Sequence, residues 1–527
     1  MEIVYTQNSR LPKLAWLADV NFVTKALFVE HGSCVECREH FFIEGAWNGP
    51  FENGEFSVTD CIFGTGAVVF EESIVFVPSA CTTDYLYYQQ KPDGRVRVAN
   101  SLPLLLASLK DALNPSFTGY NRINDSIREG LDNYIQEIPT VKGFVRRQMY
   151  RNLSIDAAGI REVDKTMPLS FGCYEDYYSY LDKNYQLLIE NVRDSKRTTK
   201  VEVCSTQSKG YDTTAVNAIA AKFGIDKVFT IQKGKNVSYF ATDDENVQVD
   251  DDGSEICKVL GLTGIPIERR AFANNFSKEY FYHAALHRNQ DSNLMEIEKH
   301  ISGVSILLTG NLGEIWGTSS SYRERSGYIN SELKRFDLGG HGLSEVRLVV
   351  GFIQVPFVYV GARRREEIMR ITESKEMSPW RLENNYDRPI ARRISEDVGV
   401  PREAFGQVKI ASVVLFPMPS LPYGEELRNE FLEFVVNEKL LTRWMNQFWP
   451  VVHFVNTAIS FKHSRYKGLY YLERIISRVI GKKWQLKYVW RHLDSALYCF
   501  CVNKCAREYE GYLSEVRTSE SVDKAAM

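Results

Sequence analysis

The sequence predicts an α/β protein: an N-terminal β-sandwich, then a parallel-sheet α/β domain with a helical C-terminal extension. Three observations carry this expectation. Short β-type segments separated by turn residues fill residues 1–110. From Val201 to about residue 420, apolar strand candidates alternate with amphipathic stretches, the pattern of a parallel sheet with crossover helices. Beyond Pro422 the apolar residues fall at helical spacing.

In the first region, Phe41–Gly49 combines aromatic and β-branched residues with glycine punctuation. Val68–Phe70 and Ile74–Val77 flank a Glu-Glu-Ser turn, and Tyr85–Gln90 and Arg95–Asn100 flank Lys-Pro-Asp-Gly, a strong hairpin signal. Residues 111–200 form a mixed connecting segment. It ends in a helix over Tyr174–Val192, where Tyr177, Tyr180, Leu181, Tyr185, Leu188, Ile189 and Val192 recur at helical spacing. In residues 201–420 the strand candidates are Val201–Cys204, Lys227–Ile231, Val304–Leu308 and Leu348–Phe352. The apolar run Leu348–Ala362 contains Gln354 and Pro356 and is too short to cross a membrane, so it reads as buried core. In residues 421–527, Glu425–Met445 carries Leu427, Phe431, Phe434, Val435 and Leu441 on one face.

At 527 residues the chain exceeds one typical core. Its net charge of −3 gives no global argument for nucleic-acid binding. The N-terminus lacks the basic-then-apolar layout of a signal peptide, and ten cysteines are spread thinly, so a cytoplasmic protein with free thiols is expected.

The richest local signal is Val201–Ala220, where an apolar strand enters a small-residue loop that opens a helix. Within it, Ser208-Lys-Gly-Tyr-Asp-Thr-Thr214 suits a phosphate. Backbone amides and the positive end of the helix dipole face the anion there. Gly210 permits close approach, Ser208, Thr213 and Thr214 offer hydroxyls, and Asp212 is placed to hold Mg²⁺ against phosphate oxygens. A Walker A pattern is absent.

This loop resembles the pyrophosphate loop of the PP-loop ATP pyrophosphatases, Ser-Gly-Gly-x-Asp-Ser-Ser/Thr, with Lys209 in place of the first glycine and Thr213 in place of a serine. About a hundred residues later, Ile306–Gly317 resembles the glycine-rich, acidic turn of the asparagine synthetase family. There Gly310 would face ATP and Glu314 would be the surviving metal-binding acid, with Gly313 replacing its acidic neighbour. Val355-Pro-Phe-Val-Tyr359 is similar to that family's Pro-Phe-Leu-Asp, without the acid. Tyr386–Arg393 and Phe405–Lys409 resemble its late basic segment, which meets the departing pyrophosphate. The resemblance therefore implies Arg392, Arg393 and Lys409 as catalytic cations and Ser208, Lys209, Gly210, Asp212, Thr213, Thr214 and Gly310 as nucleotide-binding residues. It implies Asp212 and Glu314 as metal ligands, with ATP and Mg²⁺ as cofactors.

Asp84–Tyr88 through Val98–Ala107 resembles the end of the family's glutaminase sandwich. Glu2 stands where that domain needs its cysteine nucleophile, so the sandwich is expected to be inactive, as in the β-lactam synthetase and lasso-peptide cyclase branches. The implied reaction is AMP-forming: a small-molecule, peptide or glycan carboxylate is adenylated and then captured by an amine or by ammonia from a separate source. Two alternatives stay open, a non-catalytic nucleotide-binding protein and an enzyme that adenylates a nucleobase or thiocarbonyl acceptor.

Four further clusters stand apart from these motifs. His31, Cys34, Cys37 and His40 have short zinc-like spacing but are compact for one ion and lack a following Cys-x-x-Cys pair, so unpaired thiols are expected. His283 and His287 lie one helical turn apart without the glutamate of a zinc helix, and Cys499, Cys501 and Cys505 read as packing residues. Residues 462–490 interleave Lys462, Arg465, Lys467, Arg474, Arg478, Lys482, Lys483 and Lys487 with Trp484 and Trp490. An amphipathic helix with a solvated basic face is the plainer expectation, and an anionic partner is the sharper one.

Overall fold

The computed structural model describes residues 1–22, 24–236, 248–268, 276–285, 292–311, 313–317, 343–382, 386–407, 410–411, 421–422, 424–441, 447, 451, 467–481 and 491–513. Lys409 and His287 lie outside the described residues, as does most of the basic segment 462–490.

The N-terminal half is built on two sheets. One has the strand order Glu2–Gln7, Ala26–His31, Trp16–Asn21, Val96–Ala99, Leu86–Gln90, Phe144–Gln148, Glu137–Pro139. The other runs Gly159–Val163, Asn152–Asp156, Ser73–Val77, Ile62–Val69, Phe41–Trp47, Glu36–Cys37. Neighbours are antiparallel except Glu2–Gln7 on Ala26–His31. Alternate residues of both sheets close on a shared core. Trp16, Ala18 and Val20 from the first meet Phe42, Ile74 and Phe76 from the second, with the Trp16 ring 5.0 Å from Phe42 and 6.1 Å from Phe76.

The expected hairpin at Lys-Pro-Asp-Gly is present, pairing Gln90 with Val96. The sheets do not stop near residue 110, however. Four strands from residues 137–163 complete them, within the stretch expected to be a mixed connection.

The helix Tyr174–Val192 matches its expected bounds and buries Tyr177, Leu181, Tyr185 and Leu188. Asp176 caps it by accepting hydrogen bonds from the Gly172 and Cys173 amides at 2.8 and 3.2 Å. The chain then enters a five-stranded, all-parallel sheet ordered Gly264–Pro266, Lys227–Thr230, Val201–Gln207, Val304–Leu308, Phe352–Val355. One expectation is corrected here. Leu348–Phe352 is not a strand: Ser344–Val350 is helix, Gly351 turns the chain at φ 93°, and the strand is Phe352–Val355. The segment is apolar throughout, so its pattern carries no period to separate helix from strand.

Val201–Gln207 is first in sequence yet central in the sheet. Chain order leads from it outward to one edge, then returns to Val304–Leu308 on its other side. The topological switch point therefore lies between these two strands, and ligands of open α/β sheets bind beyond the carboxyl ends at such a point.

The two halves share one hydrophobic core and a buried ion cluster. Arg347, on the helix Ser344–Val350, bonds both oxygens of Glu44 at 2.7 and 2.8 Å and also Asp84; both acids come from the sandwich, and all three side chains are essentially inaccessible. C-terminal helices cover Glu425–Asn437, Lys467–Val479 and Arg491–Glu510, the last burying Cys499, Cys501 and Cys505. Among the described residues no helix is long and apolar enough to cross a membrane.

Candidate functional site

The site is assembled from the two turns at the switch point. Val201–Gln207 ends in Ser208-Lys-Gly, and Gly210 is the N-cap of the helix Tyr211–Ala220, with no side-chain cap. Val304–Leu308 ends in the turn that carries Gly310 and continues to Gly313–Trp316.

The turns touch because they contain glycine. A β-carbon on Gly310 would lie 2.7 Å from the Thr213 amide nitrogen and 2.8 Å from Asp212 Cβ. One on Gly313 would lie 2.0 Å from the Asp212 carboxylate carbon. Gly313, which stands where an acid was expected from the family pattern, is thus the surface on which the Asp212 carboxylate rests.

Polar side chains hold the first turn rigidly. Asn217, inside the helix, donates to the Thr206 carbonyl at 3.1 Å and to Gln207 Oε1 at 2.7 Å, and accepts from Ser205. Gln207 donates to the Ser208 carbonyl at 2.6 Å and to Thr214 Oγ1 at 3.0 Å. Thr214 donates back to the Gly210 carbonyl at 2.7 Å.

The loop amides are also engaged. Ser208 N–H donates to Thr213 Oγ1 at 3.2 Å, Gly210 N–H to Ser208 Oγ at 3.1 Å, and Lys209 N–H to Asp251 Oδ1 at 3.0 Å. The Lys209 ammonium turns to Asp250 at 2.5 Å. That hydrogen bond, with one from the Asp252 amide, holds Asp250 below the usual carboxylate range.

The decisive side chain is one that sequence reasoning did not single out. Arg388 is buried, bonds Asp212 through Nη1, and reaches Glu314 through Nη2 at 3.2 Å. Burial works against its charge, but the Asp212 and Glu314 carboxylates outweigh burial and hold its pKa above the ordinary value. Asp212 Oδ1 is buried and, among the described residues, has no hydrogen-bond partner. Tyr386 completes this wall, with its ring 5.0 Å from that of Tyr211 and 5.5 Å from the Arg388 guanidinium carbon.

Asp212, Glu314, Gly310 and the loop Ser208–Thr214 are therefore brought together. Arg392 and Arg393 are not in that group. Arg392 is fully buried and donates to the Tyr211 hydroxyl at 2.6 Å and to the Arg402 carbonyl at 3.2 Å, between the Tyr211 and Phe405 rings. Arg393 points elsewhere, pairing with Glu376 at 2.7 Å and stacking on Tyr174 and Trp380. Tyr359 is buried in the turn after the neighbouring strand.

The Cys/His cluster does not converge. Cys37 lies 3.4 Å from His31, Cys34 contacts Ser33, and His40 meets the Phe41 ring edge-on. Among the described residues, no group of three or more His, Cys, Asp or Glu side chains is arranged to hold a metal ion. No protein-family model matches the chain, and no curated protein matches it in sequence.

Proposed function

We propose that this chain is an ATP-dependent, AMP-forming ligase of the asparagine synthetase type: it adenylates a carboxylate, releases pyrophosphate and forms an amide. The observation that carries this reading is the meeting of two glycine-dependent turns at the switch point of a parallel sheet, with one buried arginine between their carboxylates.

The available donors suit a triphosphate. The uncapped first turn of the helix Tyr211–Ala220 presents amides and the positive helix end. The Ser208 and Thr213 hydroxyls lie 3.0 Å apart beside it. Arg388 supplies a planar fork of donors suited to phosphate oxygens. Asp212 and Glu314 are the residues that would hold Mg²⁺, which would neutralise phosphate charge. A divalent cation there competes with Arg388 for the same oxygens, and displacement of the guanidinium would turn it toward the anion.

In the proposed reaction a carboxylate oxygen of the substrate attacks the α-phosphorus of ATP. The bond to the β-phosphate oxygen breaks, and pyrophosphate leaves with that electron pair. Arg388 and the loop hydroxyls stabilise the departing charge. An amine then attacks the activated acyl carbon, AMP leaves, and the amine proton passes to solvent. Arg392 is a positioning residue: through Tyr211 it fixes the start of the helix. The sandwich is read as scaffold. Its edge strand Glu2–Gln7 contains no cysteine, so the amine is proposed to come from a free donor, from the substrate itself or from a separate ammonia source.

The non-catalytic reading has an observation of its own. The loop amides of Ser208, Lys209 and Gly210 already donate to protein oxygens, and Arg388 already occupies both acids. The discriminating experiment is pyrophosphate release from ATP and Mg²⁺ over a panel of carboxylates and amines, together with ATP binding by calorimetry. Turnover dependent on a carboxylate supports the ligase. ATP binding lost in Asp212→Ala, with no release on any panel member, supports the binder. Absence of ATP binding by the wild-type chain overturns both.

A further inference from the structure

A second feature lies far along the chain from the switch-point loops. The helix Lys467–Val479 leaves large apolar side chains in the open: Leu472 is 51% exposed, Ile475 57% and Val479 82%. At about 100° per residue these three share one side, and Arg474 and Arg478, also exposed, flank it beyond Ile475. Ile480, in the turn after the helix, is 45% exposed. Isolated exposed apolar residues are ordinary, but a contiguous row on one helix is not.

The charge of the surrounding sequence is equally uneven. Residues 461–490 carry eight lysines and arginines against one acid, Glu473, in a chain whose net charge is −3. Aromatic residues, Trp484 and Trp490 among them, are interleaved.

We propose that this helix docks on an anionic membrane surface, its apolar face entering the headgroup boundary and the basic residues meeting lipid phosphates. Charge complementarity selects an anionic partner. The exposed Leu472–Ile475–Val479 row selects a lipid surface over a nucleic acid, because a phosphodiester backbone offers nothing to cover it while an acyl boundary does. The helix is an interfacial element, short of the length and apolarity needed to cross a bilayer. This proposal does not depend on the ligase reading.

The test is co-sedimentation of the full chain with vesicles of phosphatidylcholine alone and of phosphatidylcholine mixed with phosphatidylglycerol, at low and high salt. Binding to the mixed vesicles that weakens with salt is expected. Arg474→Gln/Arg478→Gln should lower the partition coefficient roughly thirtyfold. Ile475→Asp/Val479→Asp should abolish binding while leaving the circular dichroism spectrum and melting curve unchanged, since both side chains are exposed. Any of three results overturns the proposal: no binding to anionic vesicles, binding that ignores the Ile475/Val479 variant, or binding to duplex DNA or RNA in place of vesicles. A wild-type dimer that the same variant converts to monomer would also overturn it, by assigning the face to a second copy.

Discussion

Removing Arg388 perturbs the switch-point site most directly. Its side chain is 5% exposed and bonds Asp212, 12% exposed, and Glu314, 35% exposed. Arg388→Met keeps the apolar stem and deletes both ion pairs, leaving the Asp212 charge enclosed and uncompensated. Breaking a buried pair from one side costs about 3–5 kcal/mol. The Glu314 arm adds only about 0–1 kcal/mol, because solvent screens a carboxylate that is a third exposed. Asp212→Asn removes the charge from the other side, and the double variant has neither member. We expect a coupling of about 2–4 kcal/mol, with the double variant less destabilised than the two single losses together. The assay is urea unfolding of all four proteins with a chelator present. Repeating it with Mg²⁺ adds a second readout: freed carboxylates bind a cation, so Arg388→Met should gain more stability from Mg²⁺ than wild type does. Single losses that add to within about 0.5 kcal/mol would refute the ion pair. An equal Mg²⁺ response in wild type and variant would refute the competition between guanidinium and cation.

Three other expectations stand beside it, the one at Lys409 resting on the sequence resemblance alone. Asp212→Ala should lower pyrophosphate release by more than about a hundredfold, and Lys409→Ala should lower it strongly; rates within about twofold of wild type for both would remove the site assignment. Gly313→Ala places a methyl group 2.0 Å from the Asp212 carboxylate carbon and should cost roughly 1–3 kcal/mol together with turnover. Gly303→Ala, whose new β-carbon meets the Lys200 carbonyl oxygen at an ordinary 3.8 Å, is the neutral control; equal effects from the two would sink the close-approach reading. Burial raises Glu345 from 4.5 to about 7, against hydrogen bonds from Ser101 and Tyr509 and the charge of Arg347. The folded state then holds the proton more tightly than the unfolded one. Its contribution is full at low pH and is lost as pH rises from about 4.5 through about 7. Glu345→Gln should flatten that slope in urea titrations at several pH values, and an unchanged slope would count against the assignment.

Much of the scaffold was legible because its elements obey simple periods. Tyr174–Val192 repeats its apolar residues over five turns, and Lys-Pro-Asp-Gly can only be a tight connection between flanking strands. The strands Phe144–Gln148 and Gly159–Val163 were missed because edge and near-edge strands carry charge where central ones carry valine; each includes arginine, and the latter is mostly exposed. The site was half legible. Its two loops declare themselves by glycines after apolar runs, but Arg388 sits among Arg392 and Arg393, and residue type cannot rank them. A usable signal was present. Pro389 marks the first turn of the helix Pro389–Asp397, which makes Arg388 the N-cap, off the helix surface and at φ −139°. An arginine there extends away from the helix, whereas Arg392 and Arg393 are committed to helix faces and pack where those faces lead.

That placement also bears on whether the loop works or only binds. Stability alone does not account for a buried guanidinium between two acids, since apolar replacement of a buried ion pair is often at least as stable. On the proposed reading, the trio is a resting state in which one guanidinium holds both acids. Arg388 bonds both Asp212 and Glu314 and offsets one of their two charges, and nearby the Lys209 ammonium pairs with Asp250 while its amide donates to Asp251. On the proposed reading, a triphosphate arriving with its cation would exchange these partners: Asp212 and Glu314 would hold the metal, which would neutralise phosphate charge, and Arg388 would pass to the phosphates. Such an exchange avoids the cost of exposing a bare charge in a confined site at any stage. It also predicts an order. Mg²⁺ alone should bind weakly to the wild-type chain, because it must expel Arg388 with no anion to receive it, and the nucleotide should tighten that binding by the same factor by which Mg²⁺ tightens the nucleotide.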